Sequence, residues 1–487
     1  MNTAGNILFL PHSPAAFSEM LEVALPLQQK TRFTPVFVLD GPGYEAALQV
    51  CQEQGIPYRL VGNQFSKNPQ QSTEKNRTSS HRPVVNFLLK LKKSFFPQFA
   101  LAFLQYARLR QRAQHLLAEI NPRAILLIGD RHIGLETALV MLANRMVIPS
   151  LIVPYALSDK EGGALYRRAA SDWRHIYGME SWLNRIVARL RPGWSYTHNG
   201  ETLLWQPPAA MLSAAFWGIM PVNPWALGGG ASWVMIVESQ HTKVNMANQG
   251  VPAEKIIVAG KPRYDQAAYF WQQRAETRRQ VCDALRIDPA KKLLACAVPQ
   301  LGEHDLLPWD QHWAETEFLF RIFSSVLPHA NVVLSLHPKS DLAQYAPRAA
   351  QYGLVIAPQR YDQLIPISDL FVASYSSTVT LAIAAHIPVV IVDFFNFDYD
   401  FFDDVKGIIV LRQREELLST LQRILADEDY HQQLVEGQAQ AACYWARFDG
   451  KATERILDLM AELIERAEEI RKLPKRAQRS VLPPWSQ

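Results

Sequence analysis

Residues 332–341, VVLSLHPKSD, and 366–393, PISDLFVASYSSTVTLAIAAHIPVVIVD, carry the reading of the fold. The run 332–336 is apolar and β-branched and stops at His337-Pro338, as a buried strand does on reaching the edge of its sheet. A second such run, 369–374, stops at Ser376-Ser377; 381–385 reads as an apolar helix and 388–393 as a third strand. Strands alternating with a helix predict a parallel α/β sheet, in which ligands sit outside the carboxyl ends of the strands. That edge would carry His337, Pro338, Ser376, Ser377 and Thr378, with the N–H groups of the following helix offering an anion site. Such groups suit the phosphates of a nucleotide. Serine before a helix also serves as a plain cap, and both readings stand at this stage.

The same alternation opens the chain. Residues 6–10 read as a strand ending at Pro11-His12-Ser13, 34–39 as a second ending at Asp40, and 56–61 as a third. After a helical stretch, 124–128 is a strand ending at Gly129-Asp130-Arg131-His132, followed by a helix over 135–143 and a strand over 149–153. A carboxylate and an imidazole at a strand end are candidates for a general base, so Asp130 and His132 are the expected catalytic pair. His12 and Asp40, at neighbouring strand ends, are weaker candidates. The competing reading makes Asp130 a helix cap and His132 a surface residue.

Between these strands, 65–83 is polar and aperiodic and reads as a loop. Residues 86–117 read as a helix with Lys90, Lys92, Lys93, Arg108, Arg110 and Arg112 and no acid before Glu119. Its phenylalanines and leucines suit an anionic membrane surface or a lipid-linked acceptor; a domain-covering helix with a solvated basic face explains it equally. Residues 155–232 show little pattern, and Gly228-Gly229-Gly230 is compatible with a phosphate loop or a hinge. The strand pattern restarts at Trp233, which places the expected domain boundary between 232 and 233.

Composition narrows the class. A chain of 487 residues is too long for one ordinary domain, and 48% hydrophobic with 20% charged residues is the balance of a globular protein with a large core. A net charge of +4 gives no reason to expect nucleic-acid binding. The four cysteines lie far apart with no metal-ligand spacing, which predicts reduced thiols and no structural zinc. No export signal is expected at the N-terminus, and the greasy stretch 209–237 is broken by Pro221, Pro224 and the glycines, so the expected location is cytoplasmic, against the inner face of a membrane at most.

Residues 233–265, WVMIVESQHTKVNMANQGVPAEKIIVAGKPRYD, make the resemblance specific. With the HP turn at 337–338 and the SS turn at 376–377, this stretch resembles the second Rossmann-like domain of GT-B-fold enzymes that build bacterial surface carbohydrates. These are CDP-glycerol glycerophosphotransferases, polysialyltransferase-like proteins and the UDP-N-acetylglucosamine 2-epimerase group. The resemblance covers about residues 228–400 and implies that His337, Ser376 and Ser377 bind the donor's phosphates. It implies that Arg263 adds positive charge, and that Gln300, Gly302, Glu303 and His304 hold the diphosphate or the sugar. Two departures are plain. The acid expected four positions after the second serine is Leu381, and the expected glycine before Pro388 is His386. Asp398-Tyr399-Asp400 has the form of a DxD metal site, but such a fold neutralises the leaving phosphate without metal.

The expectation is therefore an α/β chain of the GT-B class, two doubly wound Rossmann-like domains facing a cleft. Residues 1–232 form the acceptor domain, 233–430 the donor domain, and 431–487 helices that cross back, with a disordered basic tail beyond Arg471. The expected reaction transfers a sugar or polyol phosphate from a CMP/CDP- or UDP-linked donor to a carbohydrate or lipid-linked acceptor, without cofactor or metal. A non-hydrolysing sugar-nucleotide epimerase and a non-catalytic nucleotide-sugar-binding scaffold are the alternatives. The epimerase is disfavoured because its His-x-Glu-Ala-Gly segment is here Val153-Pro154-Tyr155-Ala156-Leu157.

Overall fold

The computed structural model describes residues 5–61, 95–154, 160–304, 306–337, 340–358, 360–374, 376–395 and 400–486. The loop expected at 65–83, the first part of the basic run at 86–117, Pro338 and Asp398-Tyr399 lie outside them. The chain divides into two compact units, Met1–Val237 with Lys243–Val258 and Glu454–Gln487, and Glu238–Thr242 with Ala259–Thr453.

The first unit is built on a seven-stranded parallel sheet. Its strands are β1 (Gly5–Leu10), β2 (Phe33–Asp40), β3 (Tyr58–Val61), β4 (Pro122–Leu127), β5 (Ser150–Ile152), β8 (Val234–Val237) and β9 (Ile256–Val258), in the order β3-β2-β1-β4-β5-β8-β9. A separate antiparallel hairpin, β6 (Ser195–His198) and β7 (Glu201–Leu204), turns at Asn199-Gly200, both with positive φ. Alternate residues face opposite layers. Leu8, Val38, Ile125 and Leu127 pack with the helices Phe95–Ile120 and Leu135–Arg145, while on the other face Phe37 meets both Phe9 and, from the helix Pro14–Lys30, Phe17.

The second unit holds six parallel strands: β10 (Lys292–Ala297), β11 (Ala330–Ser335), β12 (Val355–Ile356), β13 (Leu370–Ala373), β14 (Val389–Val392) and β15 (Ile408–Leu411), in the order β12-β11-β10-β13-β14-β15. Leu294, Cys296, Val372 and Val390 bury one face under the helices Trp309–Val326 and Glu416–Ala426. Ala295, Phe371, Ala373 and Ile391 bury the other under Arg263–Gln272 and Val379–Ala384. Both faces are covered, so the strands read as continuous apolar runs. Each unit is a doubly wound, Rossmann-like domain.

The boundary expected at 232/233 is corrected. β8 pairs in parallel with β5 through Leu151↔Val234, and β9 pairs with β8, so both extend the first sheet and the second unit's own sheet starts at β10. The C-terminal segment is corrected as well. The helix Glu428–Trp445 belongs to the second unit, whereas residues 454–487 belong to the first. The tail expected to be disordered forms the helix Lys475–Val481 and a short turn in which Trp485 Nε1 donates to the carbonyls of Ser232 and Trp233 and Ser486 is buried.

Candidate functional site at the two switch points

In an open parallel sheet, ligands gather outside the strand ends where the strand order reverses. In the second unit that point lies between β10 and β13, with β11 alongside. The loop after β10 carries Gln300, Gly302, Glu303 and His304, the loop after β11 carries His337, and the turn after β13 carries Ser376, Ser377 and Thr378. The His304 and His337 rings stand 6.0 Å apart, and His304 and Ser377 are exposed. This is the set of polar strand-end groups expected from the sequence.

Their roles differ from residue to residue. Glu303 does not point a free carboxylate outward: its Oε1 accepts from Ser340 Oγ at 2.7 Å and from Tyr345 OH at 2.7 Å. Burial alone would raise its pKa, but these two hydrogen bonds, with a third from backbone, hold it below the usual glutamate range. Tyr345 OH in turn lies 2.8 Å from Nε2 of the fully buried His312. Glu303 thus ties the His304 loop to the residues after His337. Gly302 is buried, and a side chain there would press on the Trp309 ring at 3.0 Å. His312, Ser340 and Tyr345 were not singled out from the sequence, because their only signal is contact made across long chain separations.

At the third loop, Ser376 Oγ lies 2.7 Å from Thr378 Oγ1 and accepts the Thr378 N–H at 3.3 Å. Ser376 therefore caps the turn, and Ser377 is the exposed serine of the pair. The helix that follows spans only Val379–Ala384, so the macrodipole expected behind the serines is small. Leu381 is fully buried in the core under the sheet, which explains why no acid stands there: a carboxylate at that register would be desolvated. His386 takes φ +58°, a left-handed conformation that usually calls for glycine, with its ring 5.5 Å from that of Trp271.

Arg263 is corrected. It is 3% exposed, opens the helix Arg263–Gln272, and its guanidinium lies 3.7 Å from Asp362, an ion pair inside the second unit rather than a charge facing a ligand.

The first unit has its own switch point, between β1 and β4. Asp130, the expected base, is corrected here. It is fully buried and accepts hydrogen bonds from Gly230 N (3.0 Å), Ser232 N (3.0 Å), Ser232 Oγ (2.7 Å) and Lys255 Nζ (3.1 Å). Burial opposes its ionisation, yet the Lys255 charge and the Ser232 hydrogen bonds outweigh it and lower the pKa. Lys255, also fully buried, donates to the carbonyls of Gly228 (2.6 Å) and Gly230 (2.8 Å). A Cβ at Gly229 would fall 2.0 Å from the Asn223 carbonyl, and one at Gly230 2.2 Å from that of Asp130. The triple glycine is a packed joint around a buried ion pair. His132 rests 5.7 Å from the Trp205 ring; partial desolvation, then the charges of Arg131, His12 and Arg167, lower its pKa.

The groups that do converge are His12, after β1, and Glu136, in the first turn of the helix Leu135–Arg145. His12 Nε2 lies 3.9 Å from Glu136 Oε1, with the imidazole partly exposed and the carboxylate mostly buried. Desolvation raises the Glu136 pKa, against the His12 charge. Beside them a cavity of ≈ 170 Å³ is lined by Asp40, Tyr106, Arg108, Arg112, Gly134 and Glu136. Desolvation also raises the Asp40 pKa, opposed by Arg112 and His12. Among the described residues no cluster of three or more His, Cys, Asp or Glu is placed to hold a metal ion, and the four cysteines are free.

No protein-family model and no curated protein matches the chain. Solved structures do. UDP-GlcNAc 2-epimerase from Neisseria meningitidis, bound to UDP-GlcNAc, superposes with a TM-score of 0.51 at 13% identity, covering 94% of this chain and 100% of that one. A variant of the wall teichoic acid polymerase TagF gives 0.52 at 11% identity, over 96% and 90% of the two chains. Another UDP-N-acetylglucosamine 2-epimerase gives 0.50 at 13%, over 97% and 99%. With two doubly wound parallel domains in one chain, the protein has the GT-B fold shared by these enzymes.

Proposed function

We propose that this chain is a GT-B transferase that moves a sugar or a polyol phosphate from a CMP/CDP- or UDP-linked donor to a carbohydrate or lipid-linked acceptor in surface-carbohydrate synthesis. The observation that carries the reading is that His304, His337 and Ser377 stand on the loops following the neighbouring strands β10, β11 and β13 at the switch point of the second domain, with the two imidazoles 6.0 Å apart. A nucleotide leaving group develops negative charge, and positioned N–H and O–H donors lower the barrier by stabilising it. The reading assigns that work to these side chains and requires no cofactor.

The first domain supplies the proton acceptor in this account. His12 takes the proton of the acceptor hydroxyl and Glu136 steadies the imidazolium; a 3.9 Å separation is compatible with a pair that tightens only when substrate is bound. The cavity beside Asp40 and Glu136 offers hydrogen-bond acceptors for sugar hydroxyls and arginines for any anionic substituent.

The test is incubation with CDP-glycerol and UDP-sugars, following nucleotide release with and without glycan acceptors. Release stimulated by an acceptor supports the reading. Interconversion of UDP-N-acetylglucosamine without any acceptor replaces it with the epimerase, and binding without turnover replaces it with a scaffold.

A further inference from the structure

The first domain carries a helix whose amphipathicity is turned outward. In Trp182–Leu190, Trp182, Ile186 and Leu190 repeat every fourth residue, and they are 66%, 45% and 72% exposed. Asn184 and Val187 face inward instead. Arg185 and Arg189 are exposed between the apolar side chains, Arg191 follows, and residues 181–200 contain no acid. The neighbouring helix Pro208–Phe216 packs against this one and against Phe95–Ile120. It exposes Phe216, and the longer helix exposes Phe96 at 80%. The long helix has arginines and no acid before Glu119.

We propose that this helix, with the exposed ends of its two neighbours, docks the protein on an anionic lipid bilayer, with Trp182, Ile186 and Leu190 entering the headgroup–acyl boundary. The chemistry selects that occupant. An apolar stripe interleaved with Arg185 and Arg189 and followed by Arg191, with Glu180 the nearest acid before it, matches an interface that is apolar below and negative above, and indole favours that depth. A second copy is a poor match, because a twofold pairing of this face sets arginine against arginine. Among the described residues no helix is long and apolar enough to cross a membrane, so the attachment is to the surface. The proposal does not depend on the transferase reading.

The experiment is flotation of the full chain with vesicles of phosphatidylcholine alone and with roughly one part in three phosphatidylglycerol. Binding is expected to the mixed vesicles and not to the neutral ones. It should weaken by about tenfold or more in Arg185→Gln/Arg189→Gln, vanish in Trp182→Glu/Leu190→Glu, and survive in Met146→Glu, an exposed apolar residue elsewhere on the domain. Thermal melts of the variants should match the wild type. Absence of binding to the anionic vesicles at low salt overturns the proposal. So does binding indifferent to Trp182→Glu/Leu190→Glu, or a concentration-dependent self-association that this variant abolishes.

Discussion

Asp130 and His12 end adjacent strands of one sheet and meet opposite fates. The carboxylate is sealed under Gly228–Gly230 and spent on Lys255, while the imidazole keeps solvent contact beside Glu136. Removing one partner of a buried ion pair strands the other charge, so Lys255→Met is expected to cost about 3–5 kcal/mol in equilibrium urea unfolding. A loss below about 1 kcal/mol would show that Asp130 finds its compensation elsewhere. His12→Ala is expected to lower turnover by a factor of about 10² to 10⁴ while leaving nucleotide binding intact. If turnover survives in His12→Ala and falls in His132→Ala, the proton acceptor has been assigned to the wrong imidazole. None of this partnering was legible from the sequence. The Asp130–Lys255 contact spans 125 residues, and a strand-end acid looks the same whether it faces a ligand or a lysine.

At the scale of elements, the apolar runs ending at His337 and Ser376 appear as strands at the expected places, because a doubly covered parallel strand announces itself by composition. β12, only two residues long, leaves too little pattern to read, and the hairpin at 195–204 has only its Asn199-Gly200 turn as a sequence signal, since its strands are short and mostly half-exposed. The loop after β10 is legible in the sequence, but what fixes it is not. Glu303 is held by Ser340 and Tyr345, and its carboxylate titrates below the ordinary value. A group whose folded pKa is depressed stabilises the fold above its unfolded pKa and loses that contribution as the pH falls through the folded value. The melting temperature of Glu303→Gln should therefore lie below that of the wild type near neutral pH, with the gap closing below about pH 4.5. A gap that stays constant with pH would assign the effect to packing instead.

For the whole molecule, the class of fold was readable and the seam was not. β8 and β9 are apolar strands that suit either sheet, and only pairing with β5 decides that they complete the first one. The chain enters the second unit's main span at Ala259 and returns to the first after Thr453. The central claim is that the second domain holds a nucleotide at its switch point, beside His337. The most direct measurement is the melting temperature of the wild type and of His337→Ala with CMP, CDP, UDP and GDP. A ligand at about a hundred times its Kd stabilises the folded state by about 2.7 kcal/mol, enough to shift the transition by several degrees. The account predicts that a cytidine or uridine nucleotide raises the wild-type melting temperature and that His337→Ala loses the shift. No stabilisation by any of the four at about millimolar concentration, or a shift equal in the variant, would contradict it.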